Sequence, residues 1–385
     1  MATRKWTGGA TKVSQVQTLT ISSSTDTHTF IVTAYHPSGS DTTNGVDIAS
    51  DTASSDSTTT IADELVRQWN LSSHPWANFV TASNVANVIT FTSDKPGVPF
   101  QIAKSGTGTH TLATTTANCG PWSFIAQNFD EGILPVASDD VVIAGAWDLL
   151  YALDQDGYEI DNLSIYNHTG RIGWPGMPLR VDIENTAAGV GKFIVDCPGG
   201  GVKYVNFGAS AISPVIINAG SAWPFSLYLT ASAAVNTYVH AGNVGLAWTE
   251  GDAYVMSGSL VNLGQARIYM GPGCDLATYI QEMGGWAHCL SDAAVAKISL
   301  AGGGEFIEQI NGTITLFNND GVQCLNIGTG AISGGTLLSG YSDFTQAIAD
   351  RNVTVSYSVK AAAFAPIITS GTRTLIGKPG PGLGG

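Results

Sequence analysis

The chain has 385 residues; Lys, Arg, Asp and Glu make up only 12% of it, and 46 positions are Gly, against roughly 25% charged residues and ~7% Gly in an ordinary soluble domain. So little charge excludes the solvated faces of a long helical bundle or coiled coil, and 44% hydrophobic residues exclude a disordered chain. The formal charge of −14 would repel a polyanion, so nucleic-acid binding is set aside, and no apolar run reaches the ~18 residues that insertion into a membrane requires.

In chain order, Met1-Ala-Thr-Arg-Lys-Trp6 has no apolar core and does not read as a secretory signal. Ser and Thr fill 39 of the first 120 positions, after which Gly and short apolar runs take over. This shift predicts a boundary near 118 and an α+β module over 1–118. Within it, Val13, Val16, Leu19 and Ile21 predict a first strand, and Thr29-Phe-Ile-Val-Thr-Ala-Tyr35 a second, by their β-branched and aromatic content. Residues 37–59 read as a long mobile loop of Ser, Thr, Asp and Gly. A helix is predicted over 60–71: Thr60-Ile-Ala-Asp63 resembles a capping box with Asp in place of Glu. Ile61, Leu65 and Trp69 form one apolar stripe that must lie on the sheet. Val88-Ile-Thr-Phe-Thr92 predicts a strand, Asp94-Lys-Pro-Gly97 a turn, and Val98-Pro-Phe-Gln-Ile102 its hairpin partner.

The helix Thr60–Asn70, followed by Phe91-Thr-Ser-Asp-Lys-Pro-Gly-Val-Pro-Phe100, resembles a small module of tailed-bacteriophage virion proteins, in which a strand ends in a turn followed by Gly-x-Pro-Phe. The resemblance covers about 100 residues. It implies a particle-attached protein and no particular chemistry.

Residues 119–145 read as a transition: Trp122, Phe124 and Phe129, then Gly132-Ile-Leu-Pro-Val136, then Asp139-Asp-Val-Val-Ile143. This order is similar to the opening turn of parallel β-helices in phage and bacterial surface proteins, where an aromatic cluster covers the exposed first rung. From 146 to 358 short apolar strands recur about every ten to thirteen residues, among them Leu163–Ile165, Phe193–Val195, Val215–Ile217, Leu227–Leu229, Ile298–Leu300 and Thr336–Leu338. A sandwich or barrel competes with a solenoid here. The absence of helix signals and of long strands, with corners such as Gly199-Gly-Gly201 and Gly302-Gly-Gly304, favours the solenoid. The fold class expected is therefore mainly β: the α+β module, then a right-handed parallel β-helix. Residues 359–385, ending Gly377-Lys-Pro-Gly-Pro-Gly-Leu-Gly-Gly385, read as an extended Gly/Pro tail, either free or packed along a neighbouring subunit.

Nine acids without a base between Lys104 and Arg171 (Asp130, Glu131, Asp139, Asp140, Asp148, Asp154, Asp156, Glu159 and Asp161) are either turn formers or a calcium or magnesium site. An EF-hand is excluded, since aligning Asp156-Gly157 to its fifth and sixth positions puts Ala152 and Leu163 where oxygen ligands belong. Glycoside cleavage needs two carboxylates on one groove. Glu305 and Glu308 would point to opposite faces of a strand, while Asp182 and Glu184 would share one. Histidines 28, 36, 74, 110, 168, 240 and 288 have no metal-ligand spacing, and Cys289 beside His288 is no nucleophile motif by itself. Cysteines 119, 197, 274, 289 and 324, odd in number and without a CxxC, read as buried thiols from a reducing cytoplasm. Trp147, Trp174, Trp223, Trp248 and Trp286 either stack on sugars or fill corners.

No residue is thus assigned as catalytic, cofactor-binding or metal-binding, and no cofactor is expected. The reading is a non-enzymatic structural protein on the surface of a virion made in the host cytoplasm: capsid decoration, head fibre, tail spike or tail fibre. Its partners would be other capsid or tail proteins, a host-surface glycan, and two more copies of itself. The homotrimer is implied by resemblance to phage spikes and fibres. It is also argued from only 10 bases and 22 acids over 121–385, and from Tyr204, Phe207, Tyr228, Tyr238, Tyr254 and Tyr269, which cannot all fit a narrow core. The alternative is a polysaccharide depolymerase on the same scaffold; a bacterial surface adhesin is weakened by the missing secretion signal.

Overall fold

The computed structural model of the chain describes residues 2–25, 27–38, 44–54, 56–183, 191–208, 211–343, 352–357, 361–364 and 373–377. It is mainly β, with 55% strand and 5% helix. Two compact units interleave along the chain: Trp6–Leu134 with Trp147–Asp154, and Met1–Lys5 with Pro135–Ala146 and Gln155–Gly385. Residues 119–134 therefore group with the smaller unit, and 1–5 with the larger.

The smaller unit holds two antiparallel sheets. One orders Val80–Val85, Val88–Ser93, Val16–Ser23 and Thr109–Thr116; the other orders Val46–Thr52, Thr29–Tyr35 and Gln101–Ser105. Alternating residues such as Leu19, Ile21, Phe30, Val32 and Phe91 meet in one core, as a half-buried sheet dictates. The helix Thr58–Leu71 buries Ile61, Leu65 and Trp69 in that core, and the Trp69 indole N–H donates to the Val80 carbonyl at 2.9 Å. Its start differs from the capping box expected at Thr60. Ser57 is the cap, its hydroxyl accepting from the Thr60 N–H at 3.1 Å, while Asp63 accepts instead from the Asn84 amide.

Two further expectations are corrected. Val46–Thr52 is a strand within the supposed loop 37–59, paired to Thr29–Tyr35; residues 39–43 and 55 of that stretch lie outside the described residues. Its polar composition hid it, and an edge strand tolerates polar residues because only one side of its backbone is paired. Val98–Ile102 is not the hairpin partner of Val88–Thr92. That partner is Val80–Val85, joined through Ala86-Asn87, whereas the turn Asp94–Gly97 carries the chain to the other sheet, where Gln101–Ser105 pairs with Thr29–Tyr35.

The larger unit is a parallel β-solenoid of about nine turns. Strands pair with the next strand but one, so the chain coils and each turn adds a strand to two sheets. The first sheet runs through Asp140–Gly145, Asn162–His168, Gly191–Cys197, Ile212–Ala219 and their successors. The second runs through Leu179–Ile183, Lys203–Asn206, Leu227–Ala234, Asn243–Leu246, Arg267–Met270, Trp286–Cys289 and Glu305–Glu308. Along the second sheet Tyr204, Tyr228, Gly245, Tyr269 and His288 stand in one register column, giving turns of 24, 17, 24 and 19 residues. Two strands per turn account for the ten-to-thirteen-residue recurrence. One long strand, Ile314–Asn326, runs through both sheets where none was expected, rounding the corner at Asp320-Gly321 with Gly321 at φ +99°. Strands Ala361–Phe364 and Arg373–Gly377 also join the two sheets, within the stretch 359–385 read as an extended tail; Lys378–Gly385 lie outside the described residues.

Inward positions stack in register: Leu163, Phe193, Val215, Thr237, Leu260, Tyr279, Ile298 and Phe317 form one fully buried column. Phe207 and Tyr254, counted as surplus aromatics in the trimer argument, are fully buried. The interior is wide enough to hold both rings.

The solenoid unit also holds its own N-terminal strand by charge-assisted hydrogen bonds. Asp139 accepts from the Ala2 N–H at 2.9 Å, the Arg4 guanidinium at 3.1 Å and the Val136 N–H at 3.2 Å. Burial raises its pKa, but these donors outweigh burial and leave it below the usual carboxylate value. A depressed pKa contributes stability above the unfolded value of about 3.9, lost as pH falls through the folded one. Asp139→Ala should cost about 1–2 kcal/mol at neutral pH, after allowing for solvent screening. In urea melts the gap between variant and parent should narrow at pH 3. A gap equal at both pH values would refute the assignment.

Candidate functional site

The acidic stretch is divided between the two units. Asp130, Glu131, Asp148 and Asp154 belong to the smaller unit, and Asp139, Asp140, Asp156, Glu159 and Asp161 to the solenoid. Asp140 accepts from the Asn162 amide at 2.6 Å, and Asp139 serves the N-terminal strand. Among the described residues no His, Cys, Asp and Glu group has the geometry to hold a metal ion.

Glu305 and Glu308 do face opposite ways on the strand Glu305–Glu308. Glu305 is exposed, while Glu308 is fully buried, its carboxylate accepting from the Ile310 N–H at 2.7 Å. They form no groove pair. Asp182 is half-buried on the second sheet; Glu184 lies outside the described residues. Four cysteines are buried and Cys119 half-buried, all with free thiols, and burial pushes the thiols of Cys197, Cys274 and Cys289 up, away from the nucleophilic thiolate. His36 and His74 meet Trp76 edge-on, and His110 meets Phe30, as packing groups.

Three of the five tryptophans named from sequence come together, on the outward face of the second solenoid sheet. Trp248 and Trp286 lie 5.5 and 4.8 Å from Tyr269, and Trp223, 73% exposed, stands 6.2 Å from the same ring. Phe225, Tyr228 and Tyr204 continue the cluster along the sheet. Gly245 makes it continuous: a Cβ there would lie 2.9 Å from Tyr228 and 3.0 Å from Phe225, so a side chain in this column would break the ring contacts. Beyond Tyr269 the column runs on through His288, Ile307 and Leu325. Glu305, Ile307, Gln323, Leu325 and Tyr341 line a shallow, mostly apolar recess of about 210 Å³ on this face. Trp147 and Trp174 lie elsewhere, against Trp122 and Arg171.

A polar recess borders the aromatic cluster. The next outward column holds Arg180, Asn206 and Thr230 on three successive turns. With Tyr204, Tyr228 and Asp252 they line two overlapping hollows of about 250 Å³ each. Asp252 is pinned: the Tyr228 hydroxyl donates to it at 2.6 Å and itself accepts from the Thr249 N–H at 2.7 Å. Burial and the Asp252 carboxylate push the Tyr228 hydroxyl up to about 12, so it stays a donor at any ordinary pH. The Asn206 side-chain oxygen accepts from the Gly208 N–H at 2.8 Å. Gly208 lines the recess too, and the Asp182 carboxylate lies close enough that a Cβ on Gly208 would come within 2.5 Å of it.

Sequence reasoning missed Arg180, Asn206, Thr230 and Asp252. Turns of unequal length give them no common spacing, and only the register unites them. No family model matches the chain, and no curated protein matches it in sequence.

Proposed function

We propose that this chain is a non-enzymatic structural protein on the surface of a bacteriophage particle, a decoration, spike or fibre subunit that binds through the outward face of its second solenoid sheet. The observation that carries the binding role is the in-register aromatic and apolar column from Tyr204 to Leu325. Tyr228 and Tyr269 are themselves buried in the cluster, and the surface is presented by exposed Trp223 and half-buried Tyr204, Trp248, Trp286, Ile307 and Leu325; contiguous apolar surface of this kind marks an interaction site. The placement on a particle rests on the Gly97-Val-Pro-Phe100 module and the solenoid that follows it. An antibody against the chain should label intact phage particles in negative stain; label found only in the soluble fraction would overturn the placement. A homotrimer would close through another face, since closed rotational symmetry buries one face of each copy. Light scattering should then give about three times the single-chain mass of 39.9 kDa, and a monomer at micromolar concentration sinks the trimer.

One observation favours a second reading, a polysaccharide depolymerase. Asp182 and Asp252 both stand beside the recess, and two carboxylates across a groove are the requirement for glycoside hydrolysis. Release of reducing ends from a polysaccharide, lost in Asp182→Asn, would establish that reading over the structural one.

A further inference from the structure

We infer that the recess formed by Arg180, Asn206, Thr230 and Asp252 beside Tyr204 is a subsite for one ring of an uncharged oligosaccharide, bound without cleavage. The inference rests on the reading of this sheet as a binding face, and names its ligand class.

The hollow's volume of about 250 Å³ lies below the ~300–1,000 Å³ of sites for drug-sized ligands. It suits one small ring, not a peptide side-chain array. The polar groups then decide the chemistry. Arg180 only donates and the Asp252 carboxylate only accepts, while Asn206, its side-chain oxygen taken by the Gly208 N–H, offers its NH2 group and Thr230 a hydroxyl. An anion would meet the Asp252 carboxylate, and a cation the Arg180 guanidinium. A neutral ligand that offers a donor and an acceptor on every edge satisfies the whole set, and hydroxyls on a ring do this.

Two further features point the same way. Thr230 is 8% exposed, and its hydroxyl oxygen has no partner among the described residues, an uncommon state for a buried polar group. Tyr204, half-buried and 5.8 Å from Tyr228, borders the hollow with an apolar ring, against which the C–H face of a sugar ring packs. The site is also pre-organised, since Tyr228 holds Asp252 in place before any ligand arrives. Tyr228 is accordingly a positioning residue, and Arg180 and Tyr204 are the contacts.

The test uses the full chain and four neutral tetrasaccharides as probes: maltotetraose, cellotetraose, mannotetraose and a β-linked galactotetraose. Binding is read by calorimetry and by ligand-observed NMR, with chromatography of each probe before and after. At least one probe should bind with a Kd of about 1 mM or tighter, and should be recovered intact. Arg180→Gln and Tyr204→Ala should each weaken that binding at least about tenfold, a loss of roughly 1.4 kcal/mol, with the far-UV spectrum unchanged. Tyr228→Phe should weaken it less, by freeing Asp252. The inference is overturned if none of the four binds at about 10 mM, if binding survives both contact variants, or if a probe is cleaved. The first two results leave the particle-surface reading to its antibody test. The third overturns both, in favour of the depolymerase.

Discussion

Phe193→Ala is expected to lower the stability of the solenoid by about 3–5 kcal/mol, the range for emptying a large aromatic from a packed core. Phe193 is fully buried, stands in register between Leu163 and Val215, and meets the Phe207 ring edge-on at 4.5 Å. In a solenoid no second layer can close over the gap, because the turns above and below are held at fixed spacing by their ladder hydrogen bonds. Phe193→Leu keeps most of the volume and should cost about 1.5 kcal/mol or less. Urea unfolding followed by circular dichroism checks both. If the Ala variant costs under about 1 kcal/mol, Phe193 does not lie in a packed interior.

A comparable loss, about 3 kcal/mol or more, is expected from Gly330→Ala. A Cβ there would sit 1.7 Å from the carbonyl oxygen of Gly312 on the preceding turn. The obstacle is backbone, so no rotamer change relieves it, and the two turns must part. Gly303→Ala separates this effect from backbone conformation. Gly303 has φ +87° but nothing within 4 Å of its would-be Cβ, so only the left-handed strain of about 1–2 kcal/mol applies. Thermal melts should rank Gly330→Ala below Gly303→Ala. The reverse order would show that conformational strain, not contact between turns, sets the need for glycine at these corners.

Much of the fold was legible because it rests on local chemistry. The run Thr29–Tyr35 is a strand over those same residues, and the Ile61, Leu65 and Trp69 stripe lies in the core as its spacing required. The short apolar runs of the solenoid are inward-facing strands. What stayed hidden depends on pairing partners. Val46–Thr52 forms through its neighbour, not through its own propensity. The short strands Asn243–Leu246 and Trp286–Cys289 are set by the turns that flank them. For the site, the tryptophans drew notice as residue types, but nothing in the sequence joins Trp223 and Trp286 to Tyr269. Arg180 and Asp252 are far apart in the chain, and the fold alone makes them neighbours.

The turns of the solenoid vary from 17 to 24 residues along the Tyr204 column, yet each occupies one strand spacing in both sheets. Length along the axis is therefore counted in turns, at about 4.8 Å apiece, and is indifferent to how many residues a corner spends. About nine turns give this unit a reach of roughly 40 Å. Excising a whole turn, such as the 19 residues that separate His288 from Ile307, would shorten it by a single step while every remaining column closes in register. The solenoid unit is built as a ruler graduated in turns, so its span can change by insertion or loss of one turn without redesign of the rest.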